Sequence, residues 1–132
     1  MDARAIIDSL ERVAAKGDPA PDVYARLFAA HPEMEKLFVR DTEGAVRGNM
    51  LAEALNAILD FVEGDYYGGN LMRAEIVNHE NLGVPRAVFP AFFAAMRDAF
   101  AASLGDGWTP EIDAAWRELL TRIDAALALK AA

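Results

Sequence analysis

Two residues in this 132-residue chain stand out as potential metal ligands, His31 and His79. His79 lies in "RAEIVNHENLGVP", Arg73 to Pro85, at the end of a helical stretch and just before a Leu-Gly-Val-Pro turn. A histidine at a helix C-terminus has an ordinary structural use, because its cation suits the dipole there or its ring caps a carbonyl. The neighbours of His79 favour another use. Met72 and Ile76 lie beneath it at i−7 and i−3, and Leu82 and Val84 follow in a turn that would otherwise be polar. An imidazole between aliphatic groups is poorly solvated without a partner, and a metal centre held in an apolar cofactor would supply one. His31, before Pro32 in "AHPE", reads as a surface residue.

Other chemistry is excluded by composition. With no cysteine there is no disulfide framework, no thiol nucleophile and no thiolate zinc site. A formal net charge of −8 argues against nucleic acid, whose phosphates need clustered Lys and Arg. The N-terminal "MDARAIIDSLERVAAKG" is charged from the start, unlike a signal peptide, and no apolar run is long enough to cross a membrane. A single soluble cytoplasmic domain over residues 1–132 is expected. Hydrophobic residues make up 54% of the chain, enough for a filled helical core.

The elements that must position His79 are cut out by glycine and proline. "GDPAPD" ends a first helix over about 3–16, and a second runs over about 21–30. "PEMEKLF" is a short helix with Met34, Leu37 and Phe38 on one face, and "VRDTEG" connects it to a long amphipathic segment from 45. After the loop "GDYYGGN", Asn70 is placed to cap a helix over 71–79. Pro85 and Thr109 mark the starts of helices over about 85–103 and 109–129. Nothing alternates with period two for long, so the fold is expected to be all-α, with about seven helices and no repeat.

In order and spacing, four stretches resemble the globin family, in particular bacterial single-domain globins, the globin part of flavohaemoglobins and neuroglobin-like chains. His79 with Gly83-Val84 and the following Pro-initiated helix is similar to the proximal segment. "VYARLFAAHPEMEKLF" (23–38) is similar to the second and third globin helices, "RGNMLAEALNAILDFV" (47–62) to the distal helix, and "LGDGWTPEIDAAWRELLTRI" (104–123) to the junction into the last helix.

The resemblance implies a globin fold around a haem pocket, with haem b as cofactor and His79 as the proximal iron ligand. Its second ring nitrogen would be oriented by a carbonyl or carboxylate, for which Glu75 is one source. Phe38 would pack against the haem, and Tyr24 falls where many bacterial globins carry a distal tyrosine that donates to bound oxygen. Three residues compete for the position facing His79: Arg47, Met50 and Leu51. The reading taken is Arg47 at the pocket mouth, with Met50, Leu51 and Leu55 lining the interior. Ile76, Leu82, Val84 and Phe89 complete the expected contacts, with Phe92, Phe93 and Met96 walling the pocket.

The implied function is reversible binding of oxygen or another diatomic gas, for transport, sensing or protection from nitric oxide. Binding is favoured over enzymatic turnover. Nitric oxide dioxygenation would need a separate reductase, and no acidic residue after Asp124 supplies a proximal push in the last helix. A monomer or homodimer is expected, with no membrane and no nucleic acid partner. The alternatives are a haem-free globin-like sensor or interaction domain, and a helical protein that binds an apolar ligand.

Overall fold

In the structure, a computed structural model that describes residues 2–128, six α-helices and two 3-10 segments account for the regular elements. They are α1 (Ala3–Lys16), α2 (Ala20–Ala30), a 3-10 segment (Pro32–Phe38), α3 (Ala45–Glu63), α4 (Gly68–Asn81), α5 (Val88–Leu104), a 3-10 turn (Gly105–Gly107) and α6 (Pro110–Ala128). No strand occurs among the described residues. The expected last helix reaches 129, which lies outside them.

Each helix buries the stripe its spacing demands. α1 buries Ile6, Ser9 and Val13, and α2 buries Ala20, Val23, Tyr24 and Leu27, the i, i+3, i+4, i+7 pattern of an amphipathic helix. α6 contributes Ile112, Trp116, Leu119, Ile123 and Leu127. The buried Ser9 hydroxyl in this core is satisfied. Ser9 Oγ donates to the Ile6 carbonyl at 2.6 Å and accepts from Trp116 Nε1 at 2.8 Å, pinning α1 to α6. Trp116 also meets Phe100 edge-on, with ring centroids 5.7 Å apart. At the α5–α6 junction, Asp113 accepts from Trp108 Nε1 at 3.0 Å and from Arg97, which hold its carboxyl below the usual range.

Four boundaries differ from those read in the sequence, each for a local reason. "PEMEKLF" is 3-10 rather than α, started by Pro32 immediately after α2 ends. α2 begins one residue before Pro21, because Asp18 Oδ1 accepts the Ala20 N–H at 3.0 Å and leaves Pro21 in the first turn. α5 starts at Val88 instead of Pro85. Pro90 lacks an N–H and can sit only in a helix's first turn, so a start at 85 would break a backbone bond inside the helix.

α4 starts at Gly68, and Asn70 does not cap it. Two upstream carboxylates take that role: Asp60 Oδ2 accepts from Tyr67 N at 2.8 Å and Gly68 N at 2.6 Å, and Asp65 Oδ1 accepts from Gly69 N at 2.8 Å. Asn70 lies within the helix and accepts from Arg73.

These contacts press α4 onto α3. A Cβ on Gly68 would stand 2.4 Å from the Ala57 carbonyl oxygen, well inside any real contact. Gly68→Ala must therefore push the helices apart. We expect a loss of about 1–3 kcal/mol of stability, the usual range for overpacking, read as a lower urea midpoint with unchanged helical content.

Candidate functional site

A cavity open to solvent on one side is lined by α2, the Pro32–Phe38 segment, α3, α4 and α5, and holds about 900 Å³ with its open mouth included. Its walls are aliphatic and aromatic, and its charged lining residues are Glu53 and Glu75.

Tyr24 anchors the aromatic side. Its ring lies 5.6 Å from both Phe38 and Phe92 and 5.9 Å from Phe28, centroid to centroid. It is buried, and its hydroxyl has no hydrogen-bond partner. A buried hydroxyl without a partner costs about 1–3 kcal/mol, so it needs a reason. Burial pushes the phenol well above its ordinary range. The Arg47 guanidinium opposes that rise and the Asp41 carboxylate adds to it. At neutral pH Tyr24 is therefore an O–H donor and not a phenolate.

His79 stands on α4, one turn after Glu75. Its Nδ1 lies 2.7 Å from the Glu75 carbonyl oxygen and 3.4 Å from the Glu75 carboxylate. A carbonyl can only accept, so Nδ1 carries a proton, and the lone pair of the neutral ring falls on Nε2. Phe89 meets the ring edge-on at 5.2 Å. The turn that follows folds back on the same helix end: Leu82 N and Val84 N donate to the His79 carbonyl at 3.0 and 2.9 Å, with Gly83 at φ +91°. Only glycine takes that backbone conformation without strain. No three His, Asp or Glu side chains gather into a metal site among the described residues. His79 is thus a single oriented nitrogen donor facing an apolar space.

Of the residues singled out in the sequence, Tyr24, Phe38, Met50, His79, Val84 and Phe89 line this cavity, as do Phe92 and Phe93. Five others do not. Arg47 is held away by Asp41, with Nε 3.0 Å from Oδ2 and Nη2 2.7 Å from the Asp41 carbonyl oxygen. Asp41 also accepts the Val46 and Arg47 backbone N–H groups at 3.0 Å each. Although desolvation opposes them, these bonds and the guanidinium hold its carboxyl below the usual range. Leu51 and Ile76 are buried in the core, Leu55 is packed at its edge, and Leu82 is 74% exposed. Met96 is likewise core.

The reason is helical rotation. α3 turns Met50, Glu53, Ala54 and Ala57 to the cavity, and Leu51, Leu55 and Ile58 stand about 100° round on a fully apolar stripe. On α4 the same offset sends Ile76 into the core and brings Leu71, Met72, Glu75 and His79 to the cavity. Sequence reasoning missed Leu27, Glu53, Ala57, Leu71 and Val88 as lining residues. The i, i+3, i+4, i+7 series from Met50 was the available signal. His31 lies at the surface, its Nδ1 3.3 Å from Glu33 Oε1.

The globin family model matches residues 21–127. The chain belongs to the globin family. No curated protein and no solved structure matches it. The matched span runs from α2 through α6 and contains every element that lines the cavity, whereas α1 precedes it and closes the core from the α5–α6 side. The all-α architecture is that of a globin, and no helix among the described residues is long and apolar enough to cross a membrane.

The Tyr24 hydroxyl burdens this globin when nothing bonds to it. In the haem-free chain Tyr24→Phe should raise stability by about 1 kcal/mol, measured by urea denaturation. The unfolded phenol ionises above about pH 10 whereas the buried one stays neutral. The parent should therefore lose stability above that pH, and Tyr24→Phe should not share this part of the loss.

Proposed function

We propose that this globin holds haem b through His79 Nε2 and reversibly binds oxygen or another diatomic gas in the cavity beside Tyr24. The observation that carries the reading is the pairing of an oriented imidazole with a buried, unpartnered hydroxyl around one apolar cavity. The residues present fit the cofactor. His79 offers the lone pair, and the Glu75 carbonyl sets its tautomer and ring orientation. Phe38, Phe89 and Val84 supply apolar contact area for a flat macrocycle. Glu53 and Glu75 would repel an anionic edge, so the carboxylated side of the porphyrin would lie in water clear of both. The iron supplies the coordination site for the gas.

The chain's own residues account for selectivity. The walls exclude water, and Tyr24 offers a neutral O–H to a ligand that carries partial negative charge, slowing its release. Because Asp41 fixes Arg47, no guanidinium competes for that role. The Tyr24 donor is the feature that supports the bacterial single-domain type within the family. Consumption of nitric oxide would further require a separate reductase.

Two measurements test this. The purified chain should take up one haemin and give an intense Soret band, and His79→Ala should lose it or bind haemin far more weakly. A parent chain that stays colourless with added haemin would sink the reading. In the reduced protein, Tyr24→Phe should release oxygen about tenfold faster or more, the equivalent of one hydrogen bond of roughly 1.4 kcal/mol. An unchanged rate would remove Tyr24 from the distal role.

A further inference from the structure

Resting on the haem reading above, we propose that the thioether of Met50 is the iron's second axial ligand in the gas-free protein, so that a gas binds by displacing Met50. α3 and α4 form two neighbouring walls of the cavity. The two helices touch where Gly68 meets Ala57, and the cavity-lining residues on each run away from that point. On α3 they lead back through Ala54 and Glu53 to Met50, about 10 Å along the axis. On α4 they lead forward through Leu71, Met72 and Glu75 to His79, about 16 Å along. Met50 and His79 therefore stand far out on two different walls of one cavity.

The other donors in the cavity are poorly suited to that place. Arg47 is bound by Asp41 and is no ligand in any case. Tyr24 remains a neutral phenol, a weak ligand. Glu53 is exposed at the mouth, and Glu75 and Met72 share the helix that carries His79. Met34 belongs to the Pro32–Phe38 segment on the aromatic side and is buried. Met50 is half-buried, and its unbranched side chain, with three rotatable bonds, can reach into the cavity. A thioether is a soft neutral donor, and a Met/His pair favours the reduced iron. Displacement exchanges one neutral ligand for another, with no electron transferred and no proton released.

The test uses the haemin-loaded full chain. The ferric parent should be six-coordinate and low-spin, with the weak near-red charge-transfer absorption of a thioether–iron bond. In the reduced, gas-free state one methionine methyl, labelled with carbon-13, should shift far upfield under the porphyrin ring current. Met50→Leu, close in volume, should still take up haemin through His79, become high-spin, lose that methyl signal and bind carbon monoxide about tenfold faster or more. A high-spin parent in both oxidation states overturns the proposal. So does a low-spin parent whose spectrum Met50→Leu leaves unchanged. If Met50→Leu fails to fold, the methyl shift of the parent decides: all methionine methyls at ordinary positions would overturn it. Failure of the parent to take up haemin sinks the haem reading along with this one, whereas normal uptake without thioether ligation sinks this one alone.

Discussion

The close contact of α4 on α3 is the constraint on which the cavity depends. Asp60, near the end of α3, accepts two backbone N–H groups at the start of α4, and the missing Cβ of Gly68 lets the Ala57 carbonyl come near. A carboxylate on free amide groups at a helix N-terminus is favoured both as a hydrogen-bond acceptor and by the helix dipole. Because the contact is backbone to backbone, it leaves little freedom in where α4 begins. Everything along α4 then follows from helical geometry, including the placement of His79 eleven residues on.

A second carboxylate acts in the same way at the other end of α3. Asp41 accepts the Val46 and Arg47 backbone N–H groups and binds the Arg47 guanidinium. The start of α3 is tied down, and the Arg47 guanidinium is turned to Asp41. Besides the Glu53 and Glu75 carboxylates, the cavity lining offers the Tyr24 hydroxyl, the His79 imidazole and the thioethers of Met34, Met50 and Met72. In an apolar space such groups set ligand chemistry with little competition from water, since each interaction is stronger at low local dielectric. The unpartnered Tyr24 hydroxyl costs stability in the haem-free chain, and a cost kept at a cavity wall is what binding sites commonly carry.

The structure also separates what holds the globin together from what holds the site. The Ser9–Trp116 bond and the Trp116–Phe100 contact lie in the α1–α5–α6 half, away from the cavity lining. The cavity half relies on helix starts, turns and the aromatic cluster around Tyr24.

Much of this was legible in the residues themselves. The helical periods, the breakers between them and the absence of cysteine determined an all-α chain with His79 as the one histidine set among apolar neighbours, and the order of motifs pointed to a globin. Proline placed the start of α5 too early, because the pull of Pro85 is visible in the sequence and the veto from Pro90 operates only once a helix is drawn. Asn70 lost its capping role to Asp60 and Asp65, which no local pattern could foretell. The facing of α3 was hard to read from the sequence for a geometric reason. Met50 and Leu51 begin two stripes 100° apart with the same period, and although Glu53 makes the Met50 stripe the more polar, a stripe with a charge at its rim can still line an open cavity. Only the packing of α3 against its neighbours, with Arg47 captured by Asp41, decided that Met50 meets the cavity and Leu51 the core.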